Sequence, residues 1–146
     1  MQIALKEAIA AKVRGEVPVG AVVVSAKGEV LAQAGNRTLE LRDPSAHAEV
    51  LAIRVACQRL NSERLMGCNL YVTLEPCTMC AGLISFARIH RLYFAAYDPK
   101  GGGIEQGAAF FAQKTCHHTP EIYGGIMETD AATLLQDFFA SRRGNI

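Results

Sequence analysis

Apolar positions in this chain fall into short runs whose spacing alternates between helical and extended. Met1–Arg14 carries good helix formers and predicts a helix that stops at Gly15. Val19–Ser25 and Val30–Gly35 are apolar runs rich in β-branched residues, joined by Ala26-Lys27-Gly28-Glu29, which is the pattern of a hairpin. Asp43-Pro44-Ser45 supplies a helix start, with Asp43 or Ser45 as cap and His47–Leu60 as the body. Asn69–Leu74 predicts a strand, and Pro76 then opens a helix through Ala87, because proline suits the first helical turn. Arg91–Tyr97 predicts another strand, followed by the turn-rich run Asp98-Pro99-Lys100-Gly101-Gly102-Gly103. Ile104–Pro120 gives no clear period. Ile122–Met127 predicts a short strand despite Gly124 and Gly125, and Asp130–Arg143 an amphipathic closing helix. Strands alternating with helices after residue 45 predict an α/β sandwich whose sheet is partly parallel.

Composition narrows the class. At 146 residues, with half of them apolar and 20% charged, the chain predicts one domain over 1–146 with a sizeable core. There is no internal repeat, low-complexity tract or linker. The longest stretch without a charge, Pro76–Ala87, is 12 residues, short of the roughly 20 needed to cross a bilayer. Lys6, Glu7, Lys12 and Arg14 interrupt the N-terminal run, so no membrane anchor or apolar signal core is expected and the expected location is the cytoplasm. The net charge of +1 announces no strong basic field, although a balanced protein can still carry a basic face. Five cysteines at 57, 68, 77, 80 and 116 do not form a secreted disulfide framework.

The chemistry concentrates in His47-Ala48-Glu49 and, thirty positions on, Pro76-Cys77-Thr78-Met79-Cys80. Each falls at the first turn of a predicted helix. Cys77 and Cys80, three apart, share one helix face. Two thiolates and one imidazole can hold zinc and leave the fourth tetrahedral position open for water, and helix N-termini favour the thiolate. Glu49 then stands as a free carboxylate beside that water. Two thiolates cancel the formal charge of the ion, so its water is less acidified than on neutral ligands, and a neighbouring base compensates by taking the proton. Singly, each residue has a plainer explanation: a helix-terminal histidine, a solvated first-turn acid, a redox Cys-x-x-Cys pair. The combination at this separation is far more specific than its parts. Cys116-His117-His118 reads as a loop rather than a second cluster, because adjacent residues rarely converge on one ion. Cys57 and Cys68 read as ordinary buried or half-buried thiols.

H-x-E with P-C-x-x-C is the signature of zinc-dependent nucleobase deaminases. Glu16-Val17-Pro18-Val19-Gly20-Ala21, Gly35-Asn36-Arg37-Thr38, His47-Ala48-Glu49-Val50, Leu70-Tyr71-Val72-Thr73-Leu74-Glu75-Pro76-Cys77-Thr78-Met79-Cys80-Ala81 and Asp98-Pro99-Lys100-Gly101-Gly102 together resemble the bacterial tRNA-specific adenosine deaminase family, over essentially the whole chain to Arg143. The resemblance implies a three-layer cytidine-deaminase-like fold, a mixed β-sheet flanked by helices. It implies hydrolysis of the wobble adenosine of a tRNA anticodon loop to inosine, with Zn2+ held by His47, Cys77 and Cys80. Zinc-activated water would attack C6 of the adenine, and Glu49 would deliver a proton to N1 and then assist departure of ammonia. It also implies a homodimer and substrate contacts from Asn36, Asp98 and Lys100. The first helix begins at Met1, where family members often carry several more residues, and the chain stops soon after Arg143 without the longer basic tail of some relatives, so contacts from such a tail are not expected.

Those substrate positions have structural alternatives, a turn-forming asparagine after Gly35 and a solvated turn at 98–100. Phe138, Phe139, Arg142 and Arg143 could stack on and neutralise a single-stranded loop, although core packing suits both phenylalanines better. Two rival functions share the zinc motif: a deaminase of a free base or nucleotide (cytosine, guanine or dCMP), and a zinc-stabilised RNA-binding subunit without activity. The agreement outside the motif favours the tRNA enzyme, and Glu49 argues against an inactive one.

Overall fold

The computed structural model describes residues 1–143. Its elements are α1 (Gln2–Val13), β1 (Gly20–Val24), β2 (Val30–Gly35), α2 (Ala48–Leu60), β3 (Asn69–Leu74), α3 (Thr78–Phe86), β4 (Arg91–Ala96), a 3-10 turn at Phe110–Ala112, β5 (Glu121–Gly124) and α4 (Glu128–Arg143). The strands form one sheet in the order β2-β1-β3-β4-β5. β1 is antiparallel to both β2 and β3, while β3–β4 and β4–β5 are parallel. The expected mixed sheet is therefore present, with its parallel half on the C-terminal side.

Period-two alternation sorts the strand residues onto two faces. Ala21, Val23, Leu70, Val72, Leu92 and Phe94 share one face, where they pack with Ala52, Ile53 and Ala56 of α2 and Ala81 and Ile84 of α3. α1 and α4 cover part of the other face. There Ala4, Ala8 and Ala11 are fully buried, and they meet a pair of register-matched glycines, Gly20 and Gly35. A Cβ on Gly20 would stand 1.9 Å from the Ala4 carbonyl oxygen, and one on Gly35 2.7 Å from that of Glu7. The helix backbone thus lies directly on the strands, and only glycine permits that approach.

The rest of that face carries a ladder of phenols. Tyr71, Tyr93 and Tyr123 occupy matched positions on β3, β4 and β5. Their rings stack at centroid distances of 4.5 and 5.1 Å. Arg91 and Glu121, two residues before Tyr93 and Tyr123 and so on the same face, form an ion pair at 2.7 Å.

Four expectations shift. The helix expected from an Asp43 or Ser45 cap starts at Ala48 with His47 as its extended N-cap (φ −72°, ψ 152°), because Asp43 and Ser45 bond each other in the turn before it. The helix expected from Pro76 begins at Thr78, because Cys77 is extended (φ −70°, ψ 173°) and serves as its N-cap. The strand expected over Ile122–Met127 is Glu121–Gly124, cut short where Gly125 and Met127 turn to positive φ (83° and 59°). Helix α4 starts two residues before Asp130. The segment 104–120 holds only the short 3-10 turn.

Candidate metal centre

His47 and Cys77 play the same backbone role. Each is the extended N-cap of a helix on the same side of the sheet, and neither makes a side-chain cap hydrogen bond. The side chains turn toward one another. His47 Nδ1 stands 3.7 Å from Cys77 Sγ and 3.5 Å from Cys80 Sγ, and the three atoms lie within 4.8 Å of one another. A tetrahedral zinc ion bonded to nitrogen at about 2.05 Å and sulfur at about 2.3 Å would hold N and S about 3.6 Å apart. The donor set and its spacing therefore fit zinc, with one coordination position left over. Among the described residues this is the one histidine, cysteine and carboxylate group so disposed.

The electrostatics suit a cation. Two helix N-termini, each carrying partial positive charge, converge on the thiols and favour their anionic form. Cys77 is pulled down to about 4, chiefly because it accepts a hydrogen bond from the Cys80 thiol and also one from His47. Cys80 is pushed up, first by giving that hydrogen bond and then by burial. His47 is raised by its bond to Cys77. Glu49, in the first turn of α2, is 4% exposed, and burial raises its carboxyl above the usual range. A buried acid two residues from His47 and beside Cys80 is suited to picking up a proton.

The other sequence-derived positions are brought near by different means. Asn36, just after β2, uses Oδ1 to accept the Ala48 N–H at 2.8 Å, beside His47. Asp98 Oδ1 accepts the N–H groups of Lys100 and Gly101 at 3.1 and 3.0 Å. Asp98 and Lys100 line a cleft of about 1040 Å3, together with Tyr97, Leu135, Phe139 and Arg143 among others. His47, Cys77 and Cys80 are not part of that lining. Phe138 is buried, as its packing role requires, whereas Phe139 is 45% exposed. Arg142 is already engaged: it lies 4.4 Å above the Phe138 ring and donates to the Gly15 carbonyl, pinning α4 to the end of α1.

Among the described residues, Cys116, His117 and His118 belong to no metal group. His118 Nε2 bonds the Ile89 carbonyl oxygen at 2.7 Å, and the Ser85 hydroxyl donates to the His118 carbonyl at 2.8 Å, so the segment is tied down as a loop. Two buried acids escaped the sequence reading. Glu16 accepts the Leu39 N–H at 2.9 Å, anchoring the loop before His47. Glu75 accepts backbone N–H groups from the 98–106 loop. Their only sequence signal is a carboxylate inside an otherwise apolar run.

Residues 1–96 match the cytidine and deoxycytidylate deaminase zinc-binding region, which defines the class. The tRNA-specific adenosine deaminase of Agrobacterium fabrum is 57% identical over 98% of this chain and 93% of its own length. That of Aquifex aeolicus is 44% identical over 100% of this chain and 95% of its own. A solved structure from studies of A-to-I editing by tRNA:A34 deaminases at the wobble position of transfer RNA superposes with a TM-score of 0.91 at 58% identity, covering 92% of this chain and 97% of that one. The chain belongs to the tRNA-specific adenosine deaminase family. Among the described residues no helix is long and apolar enough to cross a membrane.

Proposed function

We propose that residues 1–146 form one zinc-dependent deaminase domain that hydrolyses the wobble adenosine of a tRNA anticodon loop to inosine, with release of ammonia. One observation carries the reading: three donor atoms at tetrahedral zinc spacing with a buried carboxylate beside them. His47, Cys77 and Cys80 hold the ion. Zinc bound there supplies Lewis acidity that activates water. Glu49 takes the proton released by that water, passes it to N1 of the adenine, and then moves a proton to the departing amino group. The C6–O bond forms as N1 takes its proton, and the C6–N bond breaks afterwards, when the second proton of the water reaches the amino group and ammonia leaves; no oxidation state changes. Asn36 keeps its side-chain NH2 free to donate to the nucleotide while Oδ1 braces Ala48. Asp98 and Lys100 contact the RNA from their cleft, where Arg143 adds positive charge and Phe139 an exposed ring for stacking.

A homodimer is part of this reading. Val55 on α2 and Met79 and Phe86 on α3 are exposed large apolar side chains, Phe86 at 72%. A groove of about 580 Å3 runs between the two helices, lined in part by Arg54, Cys57, Leu83 and Phe86. An apolar face of this kind fits a second copy of the chain. The proposed location is the cytoplasm, where tRNA is.

The test is to map adenosine-to-inosine changes in total tRNA from cells lacking the protein, and to supply anticodon hairpins to the purified enzyme. Loss of wobble inosine and its production in vitro are expected. Ammonia from free cytosine or guanine, with no inosine in RNA, would assign the site to the free-base reaction instead.

A further inference from the structure

Glu75 sits between β3 and the Cys77 cap, is 2% exposed, and belongs neither to the metal triad nor to the proton path. Among the described residues no lysine or arginine pairs with it. A buried carboxylate requires compensation from somewhere. Here it comes from the backbone of one loop. Asp98 N–H donates to Oε1 at 3.1 Å, and the N–H groups of Ile104, Glu105 and Gln106 donate to Oε2 at 3.2, 2.9 and 3.1 Å. One oxygen therefore holds the start of the loop and the other its end, in a segment that has almost no secondary structure to satisfy those amides.

The same loop is pressed against the cysteine turn. Gly103 N–H donates to the Pro76 carbonyl at 2.8 Å. A Cβ on Gly102 would stand 2.6 Å from the Glu75 carboxylate, and one on Gly103 2.5 Å from the Thr78 nitrogen. The loop that presents Asp98 and Lys100 thus has no slack against the turn that presents Cys77.

We propose that Glu75 is a positioning residue for substrate recognition, a clasp that fixes the 98–106 loop to the Cys77 turn and so sets Asp98 and Lys100 at a constant place relative to the metal centre. The proposal rests on the reading above that Asp98 and Lys100 contact the RNA. Asp98 itself spends Oδ1 on its own turn, so the loop is tied to the Cys77 turn by Glu75, together with the Gly103–Pro76 backbone bond, rather than by Asp98.

The experiment compares wild type, Glu75→Gln and Glu75→Asp. Glutamine offers one acceptor oxygen and one NH2, so one end of the loop must face a donor. Glu75→Gln is expected to bind zinc one to one, and its amides across 98–106 are expected to exchange hydrogen faster than in wild type. KM for an anticodon hairpin should rise about tenfold or more while kcat stays within about threefold. Glu75→Asp keeps both oxygens on a shorter stem and should fall between the two in KM, which also decides the matter if the glutamine variant does not fold. Unchanged exchange in the loop, an unchanged KM, or zinc loss with a parallel fall in kcat would overturn the proposal. Wild-type protein that deaminates no anticodon hairpin would instead overturn the functional reading, while faster exchange in the variant would still report the clasp.

Discussion

The side-chain oxygen of Asn36 accepts the backbone N–H of Ala48 at 2.8 Å, across twelve residues of sequence. This bond joins the end of β2 to the first residue of α2, between the two side chains, His47 and Glu49, that the chemistry needs. It satisfies a helix N-terminal amide that the His47 side chain does not cap.

Asn36 therefore has two separable jobs. Asn36→Asp keeps the acceptor and removes the NH2 donor, so the melting temperature should stay near wild type while KM for RNA rises. Asn36→Ala loses both, and forfeiting such a cap costs about 1 kcal/mol, or roughly 2–4 °C in Tm for a chain of this size. Calorimetry and hairpin kinetics on the pair check it. Equal Tm losses in both variants would mean that the side-chain NH2 serves the fold.

Metal binding and proton transfer should also separate. Glu49→Ala is expected to retain stoichiometric zinc and lose turnover by about 10²–10⁴-fold. Cys80→Ala should lose the metal and melt earlier, because binding energy at such a site is folding energy. Zinc analysis of the purified variants is the measurement; a zinc-free Glu49→Ala would merge the two roles.

With the metal chelated away, Cys77 should be the reactive thiol. Its value of about 4 leaves it a thiolate at pH 6, whereas burial pushes Cys57 and Cys68 up, so they remain protonated there. Iodoacetamide at pH 6 followed by peptide mass spectrometry should find label at Cys77, and restored zinc should block it. Reactivity should fade only as the pH drops through about 4. Equal labelling of Cys57 contradicts this.

Asp98→Asn leaves an oxygen for the Lys100 and Gly101 amides and changes only the charge and the acceptor facing the cleft. If that carboxylate reads the ribose 2′-hydroxyl, the substitution should lower the ratio of kcat/KM for an RNA hairpin over its DNA counterpart more than it lowers RNA turnover. An unchanged ratio leaves Asp98 as a turn residue.

The α2–α3 face gives a fifth expectation. Light scattering should find a mass near twice 15.7 kDa for wild type, and Phe86→Glu should shift it toward the monomer. An unshifted dimer would move the interface elsewhere.

The metal residues were legible because each is a chemical type at a fixed spacing near a helix start. The element boundaries were less so. Pro76 suits a first helical turn, but the chain needs one more extended residue to aim Cys77 at His47, and that requirement is tertiary. Segment 104–120 carries no period because its two ends are tied to groups elsewhere in the chain, the Glu75 carboxylate at 104–106 and Ser85 and the Ile89 carbonyl at His118, rather than held by its own pattern. Glu16 and Glu75 bond to backbone amides 23 to 31 residues away, and backbone amides leave no trace in a sequence. Arg142 looked like a nucleic-acid contact on charge alone; its neighbours, Phe138 and the Gly15 carbonyl, give it a structural task.

The phenol ladder gives the molecule its own optical reporter. The chain has no tryptophan and four tyrosines. Tyr71, Tyr93 and Tyr123 are stacked ring on ring, and Tyr97 packs edge-on against Phe94. Near-ultraviolet circular dichroism is therefore expected to report chiefly on three coupled chromophores on the sheet face turned away from α2 and α3. Peeling β5 from β4 would uncouple the outer ring and dim that signal, while loading or stripping zinc on the opposite side would leave it almost unmoved. Spectroscopically, sheet integrity and metal occupancy can be followed as two independent traces on one sample.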